Sequence, residues 1–223
     1  MTVRENARRR RGSTTITGER NMKLILASEF SVSAAKIVAL LENEPLLGNK
    51  VLFIDTAARG EGWTPDPAAD IKPLEDAGFV FTSYDIAGKS EDDVRRAMQD
   101  AAIIYVCGGN TFYLLEHMKK CNFGALIKER LTQGAIYMGE SAGSMVCTPD
   151  ISYVDVMDNP KLANLDNTKA LGLVDFLIVP HLDHADLGMA AREIVSTYNG
   201  TLPLIALYDH QLLFVRDKVV TVL

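Results

Sequence analysis

Residues 139 to 143, Gly-Glu-Ser-Ala-Gly, read G-x-S-x-G and follow a short apolar run, Ala135-Ile136-Tyr137-Met138. That pattern describes a sharp strand-to-helix turn that pushes one serine hydroxyl out at the edge of a sheet. The glycines suit the turn because a backbone bent so tightly crowds any Cβ flanking the serine. The free N–H groups of a helix starting after Ser141 would stabilise negative charge developing beside it. The bland alternative is a turn that only shapes a loop or receives an anion. A serine nucleophile needs a base, and four histidines are available. His117 lies within a helical stretch, His210 in a turn near the end, and His184 in a loop. His181 follows Pro180 at the end of an apolar strand, on the edge expected to carry Ser141, and position favours it. The third member would be a carboxylate fixing the imidazole tautomer. A serine, acid, histidine order would draw it from Asp150, Asp155, Asp158, Asp166 or Asp175, and the residues themselves leave that choice open. Two backbone amides must face the developing oxyanion. Ala142 supplies one, and the Gly108-Gly109 turn offers the other.

The elements that must position these groups alternate regularly from Met22 onward. Apolar runs at 23–27, 50–54, 79–84 and 102–106 read as strands. Residues 31–43 and the stretches around 111–119 and 126–131 carry apolar positions at helical spacing. A further helix is expected over 66–77, interrupted early by Pro73, and Ser90 caps another whose first turn is acidic. Residues 55–63 read as a glycine-rich loop. Strands alternating with helices through short loops predict an α/β fold, a mostly parallel sheet with helices on both faces in a three-layer, flavodoxin-like arrangement. Ligands of such sheets bind outside the carboxyl ends of the strands, where the glycine turns at 107–111 and 139–143 both fall. Residues 150–170 are an excursion without periodicity. A strand over 173–179, a helix over 186–198, and short strands at 204–207, 212–215 and 219–222 complete the chain, with turns at Asp209-His210 and Arg216-Asp217.

Composition sets the bounds. The chain has 223 residues, 48% hydrophobic and 23% charged, ordinary for a soluble globular protein. No apolar run approaches the ~18 residues that span a bilayer. Cys107, Cys121 and Cys147 form no C-x-x-C pair, which favours a reducing, cytoplasmic setting and small buried hydrophobes over disulfides or zinc. The formal charge of −6 combines +4 over residues 1–21 with −10 over the rest. An acidic body argues against nucleic acid, because phosphate binding needs a basic footprint. The arginine-rich residues 1–21 read as a disordered extension outside the fold, a targeting segment or nucleic-acid arm being the alternatives. Residues 22–223 read as one domain.

Cys107-Gly108-Gly109-Asn110-Thr111-Phe112, Gly139-Glu140-Ser141-Ala142-Gly143-Ser144, Leu171-Gly172-Leu173-Val174 and Pro180-His181 together resemble the peptidase E (aspartyl dipeptidase) and cyanophycinase family of serine peptidases. The resemblance runs from about Met22 to the end. It implies a fold akin to class I glutamine amidotransferases, no metal or cofactor, and hydrolysis of short peptides, in peptidase E those with N-terminal aspartate. It implies Ser141 as nucleophile, His181 as base, Gly109 and Ala142 as oxyanion amides, and Asp158 as acid with Asp155 as runner-up. Asn110 and Arg192 are its substrate-binding candidates, with Arg59 an alternative to Arg192. Two features depart from the pattern: Glu140 stands where peptidase E has an aromatic residue, and the segment after His181 is too short for the loop carrying the substrate-gripping arginine. The resemblance therefore carries the hydrolase chemistry further than the aspartate preference. The expected partner is a small peptide, with a homodimer left open and neither nucleic acid nor membrane. Competing readings are a cyanophycinase-like exopeptidase and a non-catalytic small-ligand-binding protein on the same scaffold.

Overall fold

A computed structural model of the protein describes residues 22–64 and 72–223. The arginine-rich stretch and the opening of the helix expected over 66–77 lie outside the described residues; Lys72–Asp76 is its helical remainder. In chain order the strands are β1 (Lys23–Ala27), β2 (Lys50–Ile54), β3 (Val80–Tyr84), β4 (Ile103–Val106), β5 (Ile136–Glu140), β6 (Leu177–Val179), β7 (Leu204–Ala206), β8 (Leu212–Arg216) and β9 (Val219–Val222). Seven form one sheet, ordered β3-β2-β4-β5-β1-β8-β9. The first five of these run parallel, and β8 and β9 add an antiparallel hairpin beside β1. β6 and β7 pair with each other, in parallel, as a separate two-stranded sheet.

The central strands are apolar at nearly every position because both of their faces are covered. Leu24, Leu26, Leu52, Ile54, Ile104, Val106 and Tyr137 point to one face. There they meet Val94 and Met98 of helix Glu91–Met98, Leu114, Leu115 and Met118 of helix Thr111–Lys120, and Leu126 and Leu131 of helix Phe123–Thr132. The alternate residues, Ile25, Ala27, Val51, Phe53, Ile103, Tyr105, Ile136 and Met138, face the other way. They pack on Phe30, Ala34, Ile37 and Leu41 of helix Phe30–Glu42. The period of two along each strand thus divides the core between two helical layers. Edge strand β3 is largely exposed, Val80 included.

Two stretches differ from their sequence reading. The glycine-rich segment after β2 contains a helical turn, Thr56–Gly60, tied by Arg59 Nε and Nη2 to the two oxygens of Asp55 at 2.9 and 2.6 Å. The strand expected over 173–179 is confined to its last three residues. The amides of Leu173 and Val174 donate to the Cys147 carbonyl, at 2.8 and 3.2 Å, so their donors are spent on the excursion.

The turn around Ser141 depends on glycine for space. A Cβ on Gly143 would stand 2.1 Å from the Val106 carbonyl oxygen, and one on Gly139 would stand 2.4 Å from that of Gly143. Backbone occupies both places, so no rotamer change relieves the clash. Gly143→Ala is expected to lower unfolding free energy by about 3 kcal/mol or leave the protein insoluble. Gly124→Ala, whose Cβ would meet only the Leu171 side chain at 3.5 Å, is the control. It should be neutral or up to about 1 kcal/mol stabilising. Urea midpoints of the two variants test the contrast.

Candidate functional site

β5 delivers Ser141 to the carboxyl edge of the sheet, and the short helix Ala142–Met145 leaves from it. Ser141 sits at φ 47°, ψ −109°, a strained backbone for a residue with a side chain. Several bonds hold it there. Its amide donates to the Ala27 carbonyl at the end of β1, 3.2 Å away. Its own carbonyl accepts from the Ser144 and Met145 amides, each at 2.9 Å. The buried Ser144 hydroxyl bridges the carbonyls of Ala27 and Gly139 at 2.8 and 3.0 Å.

His181 follows β6 and reaches Ser141, with Nε2 2.8 Å from the serine Oγ. It too has positive φ, 67°. Its Nδ1 lies 2.7 Å from Oδ1 of Asp209, which follows β7. The result is an unbroken hydrogen-bond line from hydroxyl to imidazole to carboxylate. Asp209 accepts the Nδ1 proton, leaving the Nε2 lone pair facing the serine. Burial is the larger influence on His181 and lowers its pKa, with Asp209 pulling the other way. The imidazole therefore stays neutral, and able to accept a proton, further into acid than a free histidine.

Asp158, the sequence candidate for the acid, is elsewhere. Its Oδ2 accepts from the Thr111 amide at 2.7 Å, at the start of the helix after β4. Burial raises its carboxyl to a pKa of about 6, against the lowering effect of its bonds to Thr111. Asp155 is exposed on a 3₁₀ turn, Ser152–Val156. The expected chain order is corrected: the carboxylate on His181 comes after the histidine, in the turn that follows the neighbouring strand β7. The sequence shows β6 and β7 only as short apolar runs; their parallel pairing, which puts the residues after each on the same edge, is seen in the structure.

Gly108 lies against the serine, where a Cβ would come 3.3 Å from that of Ser141. Gly109 adopts φ 125°, and a Cβ there would strike the Ala57 carbonyl carbon at 2.3 Å. Among the described residues, the amides of Gly109 and Ala142 donate to no acceptor in the fold. The Asn110 side chain is engaged within the fold. It is buried, its Oδ1 accepts from the Tyr113 amide at 2.9 Å, and its Nδ2 donates to the Asn159 carbonyl at 3.2 Å. It is the N-cap of the helix beginning at Thr111. Exposed Arg192 donates to the Leu182 carbonyl at 2.8 Å and braces the loop after His181. Arg59 is engaged with Asp55.

Glu140 is turned away from solvent chemistry. Its carboxylate accepts from the Phe30 amide, at the start of helix Phe30–Glu42, and from the Tyr105 hydroxyl, both at 2.9 Å. A charge placed at a helix N-terminus is favourable there. The three cysteines are buried and unpaired, and burial pushes the Cys147 thiol up to about 12 and Cys107 higher still, so neither offers a thiolate. Glu29, His184 and Asp209 lie close enough together to suggest a metal site. His184 does not suit one. Its Nδ1 accepts from the Asp186 and Leu187 amides at 3.1 and 3.3 Å, so the neutral ring carries its proton on Nε2 and has no lone pair to offer. No helix among the described residues is long and apolar enough to cross a membrane.

Comparison with known proteins finds relatives among peptidases. The model for peptidase family S51 matches residues 24–223. An uncharacterized peptidase of Listeria monocytogenes is 38% identical over 193 residues, covering 85% of this chain and 94% of its own. A peptidase E of Shewanella putrefaciens is 29% identical over 195 residues, covering 80% and 81%. A solved structure of a Listeria monocytogenes protein named for peptidase E superposes with a TM-score of 0.82 at 34% identity, over 91% of this chain and 98% of that one.

The raised carboxyl of Asp158 has a consequence for stability. An unfolded aspartate ionises near pH 3.9, whereas the folded one does so at about 6. Its contribution is fully present below about pH 4 and is lost as pH rises through 6. Asp158→Asn keeps an acceptor for Thr111 without the charge. Relative to wild type it should gain stability between pH 4 and 7, by at most about 3 kcal/mol, as read from urea unfolding across that range.

Proposed function

The chain belongs to peptidase family S51, and on that premise we propose that it is a serine peptidase of short peptides, with Ser141, His181 and Asp209 as its catalytic triad. The observation that carries the reading is the continuous line from Ser141 Oγ to His181 Nε2 at 2.8 Å and from His181 Nδ1 to Asp209 at 2.7 Å. His181 takes the hydroxyl proton as Ser141 attacks the scissile carbonyl, and Asp209 stabilises the imidazolium that forms. The uncommitted amides of Gly109 and Ala142 are the donors for the tetrahedral oxyanion. Imidazolium then protonates the leaving amine. Water, activated by the same imidazole, releases the acyl group from Ser141.

The finer reading is a dipeptidase of the peptidase E type, with N-terminal aspartate the first substrate head to test. It rests on the motifs shared with that family. Asn110 carries no substrate role in this reading, since its Oδ1 serves the helix cap and its Nδ2 bonds the Asn159 carbonyl, and Arg192 remains a candidate only through its place beside the His181 loop.

The test is hydrolysis of Asp-Leu, Glu-Leu, Ala-Leu and Gly-Leu by wild type, Ser141→Ala, Asp209→Asn and Asp158→Asn. Ser141→Ala should lose on the order of 10⁴-fold or more in kcat, and Asp209→Asn on the order of 10³- to 10⁴-fold. Asp158→Asn should stay within about tenfold of wild type, because its bond to Thr111 survives. Selective cleavage of Asp-Leu supports the aspartyl preference; cleavage of another dipeptide keeps the triad and moves the specificity. Absence of cleavage at high enzyme concentration, or a Ser141→Ala variant equal to wild type, overturns the reading in favour of a binding protein.

A further inference from the structure

Ser28, the first residue after β1, is fully buried and lies outside the Ser141–His181–Asp209 line. Its hydroxyl accepts from the backbone amide of His181 at 2.8 Å. The same hydroxyl donates to Asp209 Oδ1 at 3.1 Å. A hydroxyl has one proton, and the amide claims a lone pair, so the proton has a single place to go. The bonds therefore close on themselves. The His181 amide donates to Ser28, Ser28 donates to Asp209 Oδ1, and that oxygen also accepts from the His181 ring. Backbone and side chain of one histidine are joined through two other residues.

We propose that Ser28 is a positioning residue of the site, fixing the ring orientation of His181 and sharing the charge of Asp209. The proposal rests on reading Ser141 as a nucleophile served by His181. His181 holds positive φ, unfavourable for a side-chain-bearing residue, and persists only where its surroundings over-determine it. The Ser28 bond to its amide is one such constraint. The ends of the ring are themselves anchored: the Ser28 amide donates to the Gln211 carbonyl at 3.1 Å, and the Asp209 amide donates to Asp183 Oδ1 at 2.8 Å. Ser28 also belongs to the chain segment that anchors the nucleophile, since adjacent Ala27 accepts from the Ser141 amide. Ser141, His181 and Asp209 are thus all hydrogen-bonded to one strand end. The groups that face the ring from other elements are Glu29 and His184, near Asp209.

Loss of the Ser28 hydroxyl has two separable effects. The buried His181 amide is left without its acceptor, and the ring is freed to rotate, which lowers the rate. Asp209 loses one of the donors on Oδ1, so its negative charge falls more heavily on the imidazole. The imidazolium is stabilised, and the pH midpoint for activity rises. A residue needed only for folding would change stability and leave that midpoint in place.

The experiment needs no knowledge of the natural substrate. Full-length wild type, Ser28→Ala and Ser28→Cys are labelled with a fluorophosphonate probe of nucleophilic serines across pH 5 to 9, with thermal melting in parallel. The downfield proton resonance of the His181 Nδ1–H···Asp209 bond is recorded for each. Ser28→Ala should lower the plateau labelling rate by about ten- to hundredfold. It should also raise the midpoint and shift the resonance. Ser28→Cys, nearly isosteric and a weak donor, should fall between the two, and it carries both readouts if the alanine variant does not fold. Labelling at wild-type rate and midpoint in both variants overturns the proposal, as does a loss of stability with the midpoint and resonance unmoved. If wild type itself is not labelled at any pH, the nucleophile reading fails, and the resonance alone decides whether Ser28 orders the histidine.

Discussion

The carbonyl of Ala27, at the carboxyl end of β1, receives the amide of Ser141 and the hydroxyl of Ser144. Ser141 cannot keep its strained backbone unless something outside β5 holds it, and this carbonyl is that support. The dependence runs outward from there. β1 must lie beside β5 in register, Ala27 opposite Glu140, for the carbonyl to reach the turn. β1 must also be flanked on its other side by β8, which the C-terminal hairpin provides. Glycine is required at 139 and 143 because the turn closes over backbone atoms rather than side chains. One acceptor thereby couples the last strands of the chain to a serine some seventy residues earlier, as the residue numbers of β8 and Ser141 show.

Charge near the site is distributed in a way that keeps His181 neutral without isolating it. Its burial lowers its pKa, and among the described residues Asp209 is the one carboxylate hydrogen-bonded to its ring. The other carboxylates nearby have their own tasks. Glu140 caps a helix and accepts from Tyr105, Asp183 receives the Asp209 amide, and Asp55 is clasped by Arg59. Carboxylates tied to backbone amides or to arginine fix loops at the edge of the sheet without adding a second proton acceptor at the imidazole. Asp158 illustrates the cost of burial without a cation: it accepts from the Thr111 amide, and its carboxyl is raised rather than lowered.

The parallel sheet, both helical layers and the places of Ser141 and His181 were legible because each is a local pattern: an apolar run, a glycine turn, a residue at a strand end. Asp209 was not. Locally it reads as a turn residue, and only the pairing of β6 with β7 brings it to His181. Pairing between two three-residue strands, with a helix between them, leaves almost no trace in sequence. The expectation that the acid precedes the histidine points to the excursion instead. Asn110 is the opposite case. An asparagine immediately before a helical stretch is an ordinary cap signal, and its buried side chain answers to that signal rather than to a ligand. Glu140 sits between the two. Its identity stood out in the turn, but that it serves the helix beginning at Phe30 depends on β1 and β5 being neighbours.

Selectivity follows a different logic from the triad. A preference for an acidic substrate head requires a cation whose charge is not already matched by a closer partner. Arg59 is raised in pKa chiefly by its bond to Asp55, with Asp85 adding to the effect, so its charge is largely answered within the fold. Arg192 has a different standing: its bonded partner is the neutral carbonyl of Leu182, which orients the guanidinium but leaves its charge uncompensated. Of the two arginines, then, Arg192 is the one not paired with a carboxylate among the described residues, and its bond to Leu182 uses one of five N–H donors. Among the described residues Arg192 hydrogen-bonds neither Ser141 nor His181; its bond to the Leu182 carbonyl acts on the loop that follows His181.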